Sequence, residues 1–214
     1  MRNSQSPVAK EGYPFIGLFA FVTLVFALLD WDLLTLLLLA LTLFTVYFFR
    51  DPDRCAPADE AAVVSPADGK VVFVGEVREE RFFQAEAIKV SIFMSVFNVH
   101  VNRAPFAGKV VDLFYNKGEF FNASLDKASL QNEQAGLLLE VEGGKRLLVV
   151  QIAGLIARRI ITYPVIGDLL QRGQRYGLIR FGSRVDVYFP LGTDILVRVG
   201  ERTVAGESVL AYLK

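Results

Sequence analysis

Residues 175–190 read RYGLIRFGSRVDVYFP, in which apolar and polar residues alternate on both sides of Gly182-Ser183. The alternation predicts a β-strand, and the glycine within it predicts a bulge or a point where another group must approach the backbone closely. Ser183 then sets a hydroxyl beside an uncovered carbonyl. The same grammar extends outward through VVSPADGKVVFVGEV (63–77), AIKVSIFMSVFNVHV (87–101), GKVVDLFY (108–115), GLLLEVEG (136–143), KRLLVVQIAGLIARRIITYP (145–164) and DILVRVG (194–200). Rich in Val, Ile and Phe and punctuated by Gly, Pro and Asp, these segments predict a mainly β domain, a compact barrel or sandwich. Residues 122–135 lack alternation and read as a loop or short helix. GDLLQRGQ (167–174) and GERTVAGE (200–207) share their glycine spacing, which predicts two similar tight turns with positive φ.

The chain has 214 residues, enough for one medium domain and an appendage. Cys55 is its only cysteine, so no intrachain disulfide is available. Its 23 basic and 23 acidic residues cancel, and no global field argues for nucleic acid. The hydrophobic excess lies in two apolar runs, 14–29 and 33–49, separated by Asp30-Trp31-Asp32. As helices each run covers about 25 Å, slightly under a bilayer core of about 30 Å. They predict an N-terminal transmembrane helical hairpin whose acidic turn lies in water, because each carboxylate in lipid would cost about 3 kcal/mol. Arg2 and Lys10 precede the pair, Arg50 and Arg54 follow it, and the turn carries no basic residue. That asymmetry puts both ends on the cytoplasmic side. The expected organisation is a membrane hairpin over 1–50, a linker over 51–61 and a β domain over 62–214, the one that would carry any catalytic site, on the cytoplasmic face of the cell membrane.

His100, in VFNVHVNRAP, is the only histidine, so any imidazole acid–base chemistry must use it. Asp68 lies in the turn SPADGK, and Ser183 follows the anomalous glycine. Asp, His and Ser are the components of an activated hydroxyl: the base takes the serine proton and the carboxylate orients the imidazole. Arg158-Arg159 reads either as a solvated basic pair or as a grip on a phosphate or carboxylate.

Taken together, SPADGK, FNVHVNRAP, NASLDKAS followed by NE, QIAGLIARRI, RYGLIRFGSRVDVYFP and GERTVAGESVLAYL resemble the short form of the phosphatidylserine decarboxylase proenzyme family, over about 51–214. FGSR carries most of that resemblance. Longer members have LGST at this point and two nearby histidines; here His100 stands with Asn98 and Asn102 and is expected to take one or both histidine roles. The resemblance implies that Asp68 orients His100, that His100 deprotonates Ser183, and that Ser183 attacks the Gly182 carbonyl. An ester forms, and β-elimination then separates fragments 1–182 and 183–214, which stay together as a heterodimer. Ser183 becomes a covalent pyruvoyl group, the only cofactor implied, with no pyridoxal phosphate and no metal. It serves as an electron sink for decarboxylating membrane phosphatidylserine to phosphatidylethanolamine. A higher oligomer stays open. The alternative is a lipoyl- or biotinyl-type carrier domain modified on Lys127, within SLDKA (124–128).

Overall fold

The alternation after Gly182 is met by a strand, β11 (Ser183–Pro190), paired antiparallel with β3 (Ala85–Met94) on one side and β7 (Arg146–Ala153) on the other. In this computed structural model the described residues are 6–118, 132–154, 159–180 and 183–213, in two compact units divided between Asp53 and Arg54. The larger unit is mainly β. Its principal sheet has eight strands in the order β13-β2-β3-β11-β7-β6-β5-β9 and curls into a half-barrel. The added strands are β2 (Gly69–Glu79), β5 (Gly108–Asn116), β6 (Gln134–Glu140), β9 (Leu169–Leu170) and β13 (Arg202–Thr203). Two three-stranded sheets complete it: β1 (Ala62–Val64), β14 (Val209–Tyr212) and β12 (Asp194–Ile195); and β4 (Val101–Arg103), β10 (Arg175–Ile179) and β8 (Ile160–Thr162).

Period-2 alternation decides which side chains enter the core. From β11, Val185, Val187 and Phe189 point inward and pack with Val90, Ile92 and Val149. Each such buried side chain contributes about 1.5–3 kcal/mol. Arg184 and Asp186 take the opposite face, where Arg184 Nη2 donates to Asp186 Oδ2 at 3.0 Å, Nε stands 2.8 Å from Oδ1 in an ion pair, and both residues are buried. Removing either partner would leave a buried charge, so this pair holds β11 to one register.

The sheet order is palindromic about the β11–β7 contact, and the glycine turns explain why. Gly167 and Gly200 have φ of 100° and 101°, and Gly173 and Gly206 have φ of 77° and 78°. Gly167 N donates to Val110 O and Gly200 N to Val71 O, both at 2.8 Å; the return bonds, Val110 N to Asp168 O and Val71 N to Glu201 O, are also 2.8 Å. Each turn thus feeds a two-residue strand onto a Gly-Lys-Val start: Gly69-Lys70-Val71 for β13 and Gly108-Lys109-Val110 for β9. Both long strands then bulge at the same place, between Val71 and Phe73 and between Val110 and Asp112. The duplicated segment is P-x-x-G-K-V-V, at 66–72 and 105–111, which the sequence reading passed over.

The smaller unit contains α1 (Tyr13–Leu28), entered through a 3₁₀ turn at Lys10–Gly12, and α2 (Asp32–Phe48). The two pack together, with the Thr23 and Thr42 hydroxyls 3.2 Å apart. Asp30 occupies the connecting turn with φ of 57°, and Asp32 opens α2, where a carboxylate favours the positive end of the helix dipole. Lys10–Leu28 is long and apolar enough to cross a membrane, and α1 buries none of its residues; α2 is the shorter apolar helix. The segment expected to be irregular over 122–135 is described only from Asn132 onward, and its last two residues belong to β6, because Gln134 and Ala135 pair with Ile152 and Gln151.

Two stability predictions follow from the packing of β10. A Cβ on Gly177 would lie 2.4 Å from the Ile161 carbonyl oxygen and 3.0 Å from Gln151 Nε2, so Gly177→Ala should lower stability by about 1–3 kcal/mol, read as the urea midpoint. An unshifted midpoint would contradict the close approach of β8 and β10. Tyr176 is fully buried in the core, and desolvation raises its phenol pKa well above the usual value. The folded state therefore keeps a proton that the unfolded state releases above about pH 10, so stability should fall as pH rises past that point. Tyr176→Phe should flatten that decline.

Candidate active site

Several strand ends meet at one end of the large sheet, and the candidate residues lie on them or on the loops that leave them. Asp68 immediately precedes β2, β3 ends at Met94, β11 begins at Ser183 and β7 ends at Ala153; Ser183 pairs with both Met94 and Ala153. Ser183 is fully buried and its hydroxyl donates to Met94 Sδ at 3.5 Å. Asn102 Nδ2 lies 3.6 Å from the same sulfur and 3.4 Å from Pro66 O. Behind it Gln151 Nε2 donates to Asn102 Oδ1 at 2.8 Å, and Thr162 Oγ1 donates to Gln151 Oε1 at 3.0 Å. On the other flank Asn132 Nδ2 donates to Ala153 O at 2.7 Å. A thioether is a weak acceptor, so Met94 orients the Ser183 hydroxyl without binding its proton strongly.

The loop after Met94 delivers His100. Asn98 closes it into a turn: its Oδ1 accepts from Ser95 N and Ser95 Oγ, both at 2.8 Å, and its own N–H donates to Ser95 O at 2.9 Å. The turn aims the Asn98 carbonyl at His100 Nδ1, 2.9 Å away. A carbonyl can only accept, so Nδ1 carries the hydrogen and Nε2 holds the basic lone pair of the neutral ring. His100 is buried, and its carbonyl accepts from Ile179 N at 3.3 Å, in the strand that leads to Ser183. Thus Ser183 contacts Met94, the residue from which the histidine loop departs, and Ile179, four residues before the serine, contacts the loop at His100 itself.

Asp68 lies in a turn, as its sequence setting suggests, but its hydrogen bonds go elsewhere than to His100. Oδ1 accepts from Ala205 N at 2.8 Å and Oδ2 from Arg54 Nη2 at 2.9 Å. The hydrogen bond at His100 Nδ1 goes to the Asn98 carbonyl. Gly182, Lys127 and Arg158 lie outside the described residues; Arg159 is exposed, and its carbonyl accepts from Arg180 N at 3.3 Å. Sequence reasoning noted Asn98 only as a neighbour of His100 and missed Met94, Gln151 and Arg54. The Ser-x-x-Asn spacing of 95–98 is a turn signal that would have singled out Asn98. Met94 becomes visible only through strand register.

A profile of the family described as phosphatidylserine decarboxylase matches residues 41–211. The chain is 70% identical over 214 residues to the phosphatidylserine decarboxylase proenzyme of Syntrophotalea carbinolica, covering 100% of both chains. It is 56% identical to that of Geotalea uraniireducens and 49% identical to that of Desulfotalea psychrophila, again covering 100% of both. These comparisons lend no support to the carrier reading.

Because His100 is the only histidine, its ring nitrogens can be read without overlap in a ¹⁵N-histidine spectrum. At a pH where the ring is neutral, the shifts should report hydrogen on Nδ1 and a bare Nε2. Asn98→Ala opens the turn and should move the spectrum toward a tautomer mixture. The opposite tautomer in the unsubstituted chain would contradict the assignment.

Proposed function

The chain belongs to the phosphatidylserine decarboxylase family, and on that footing we propose that it cuts itself between Gly182 and Ser183 and then decarboxylates phosphatidylserine to phosphatidylethanolamine. The observation that carries this reading is the setting of Ser183: a buried hydroxyl at the first position of a central strand, resting on a thioether, at the sheet end where the His100 loop enters. In the proposed first stage, His100 Nε2 takes the Ser183 proton, with Nδ1 fixed by Asn98, and the Asp68 carboxylate stabilises the imidazolium from across the same sheet end. Ser183 Oγ bonds to the Gly182 carbonyl carbon as the Gly182–Ser183 C–N bond breaks. Loss of the Ser183 Cα proton then breaks the Cβ–Oγ bond, so Gly182 leaves as a carboxylate and residue 183 becomes dehydroalanine. Tautomerisation and hydrolysis release ammonia and leave the pyruvoyl group.

The surroundings of Ser183 fit that group. The Ser183 side chain faces Met94 Sδ and its strand partner is Ala153, apolar neighbours suited to a methyl where the hydroxymethyl had been. Once formed, the group supplies the electron sink for losing carbon dioxide from an α-amino carboxylate. His100 then returns a proton to the substrate carbon. Strand pairing supports retention of 183–214 with 1–182 as a heterodimer: β11 lies between β3 and β7, β13 pairs with β2, and β14 pairs with β1. We read α1 and α2 as a membrane hairpin holding the β unit on the cytoplasmic face. A cysteine at Trp31 should then react with an impermeant thiol reagent in intact cells while one at Lys10 stays protected.

Intact-mass analysis should find two polypeptides, one ending at Gly182 and one of residues 183–214 with a blocked first residue. Ser183→Ala should remain one chain and release no carbon dioxide from phosphatidylserine. His100→Ala should slow cutting about 10²- to 10⁴-fold, the usual worth of a positioned general base. An active wild-type preparation consisting of one uncut chain would overturn the assignment.

A further inference from the structure

The turn that carries Asp68 is one of two built on the same plan. Pro66–Val72 and Pro105–Val111 share P-x-x-G-K-V-V, and the Gly206 and Gly173 turns dock beside them through matching 2.8 Å bonds, Gly206 N to Ser65 O and Gly173 N to Ala104 O. The position of Asp68 in the first copy is Ala107 in the second. A carboxylate there is therefore dispensable for making the turn. It occurs only in the copy at the Ser183 end of the sheet, and there both its oxygens are held.

Arg54 is one of the two holders. Its Nη2 donates to Asp68 Oδ2 at 2.9 Å, with the two side chains 16% and 13% exposed, and its Nη1 lies 3.7 Å from Glu207. Cys55 N donates to the same Glu207 carboxylate at 3.3 Å. Gly206, with φ of 78°, lies beside this contact: a Cβ there would be in ordinary contact with Arg54 Cβ at 3.6 Å and tighter, at 3.0 Å, against Arg103 Cδ. Ala205 and Glu207 belong to the segment that becomes the small fragment on the proposed reading, whereas Arg54 and Asp68 belong to the large one. One guanidinium thus serves two carboxylates, Asp68 from the proposed large fragment and Glu207 from the small one.

We propose that Arg54 is a positioning residue for self-cleavage: with Ala205 N it fixes the Asp68 carboxylate, and through Glu207 it ties that carboxylate to the segment containing Ser183. The inference rests on the self-cleavage reading above. It also gives the segment read as a linker a second task, because its fourth residue, Arg54, holds the Asp68 carboxylate.

The test follows cutting over time in the full chain, made by cell-free synthesis with phospholipid nanodiscs. Arg54→Gln should cut about 10- to 100-fold more slowly than wild type, the range for losing a hydrogen bond to a charged group. Arg54→Lys should restore part of the rate, and methylguanidinium added to Arg54→Ala should restore part of it as well. Wild-type cutting in Arg54→Gln would overturn the inference and leave the Ser183 assignment standing. Slow cutting that neither lysine nor methylguanidinium relieves, with a lowered melting temperature, would make Arg54 merely structural and also overturn it. A wild-type chain that never cuts would remove the Ser183 assignment, and this proposal with it.

Discussion

Everything at the candidate site depends on β11 being hydrogen-bonded on both sides from its first residue. A strand end in a sheet normally frays, but Ser183 pairs with Met94 and Ala153, and the next residue begins a buried ion pair on the far face. Breaking the chain just before Ser183 leaves the pairing of Arg184 to Pro190 in place. The constraint therefore serves two needs: it holds the reactive residue in place before cutting, and it keeps the same residue there afterward. A loop-borne serine would meet the first need at best.

The palindromic sheet gives the scaffold, and departures from its symmetry mark the chemistry. Both halves use the same glycine turns, the same Gly-Lys-Val start and the same bulge. Only one half carries Asp68, and only there does a histidine loop follow the second strand: after β3 come Ser95–His100, whereas after β6 comes the short Glu142–Gly144 turn. Beside Asp68 and Ala107 the glycine is required by close approach, since a Cβ would stand 2.3 Å from Phe93 O at Gly69 and 2.7 Å from Glu140 O at Gly108, and that requirement leaves the preceding side chain free to vary. That freedom is what permits an acidic residue in one copy and alanine in the other.

The β-class of the larger unit was legible because period-2 alternation is a local signal, and the glycine turns because positive φ restricts residue type. Ser183, His100 and Asp68 were legible as residue types suited to one chemistry. Their partners were not. Met94 meets Ser183 only through register between distant strands, and Asp68 finds Arg54 fourteen residues away and Ala205 137 residues away. The group on His100 Nδ1 is a backbone carbonyl, which every residue possesses, so no residue type could announce it. Buried backbone carbonyls are obligatory acceptors, so such a contact leaves no signature in residue type.

On the proposed mechanism, the choice of sulfur beneath Ser183 has a physical basis. The buried hydroxyl needs a partner, since leaving it unsatisfied costs about 1–3 kcal/mol. A carboxylate or carbonyl would satisfy it fully, but would also compete with His100 for the proton. Met94 satisfies it weakly, while Asn102 spends its own acceptor on Gln151 and its donors on Pro66 and the same sulfur. Strong acceptors are thereby kept occupied with one another. The Ser183 proton is left with a soft partner that a well-oriented imidazole can outbid, and that partner tolerates a methyl group equally well after the hydroxyl has gone.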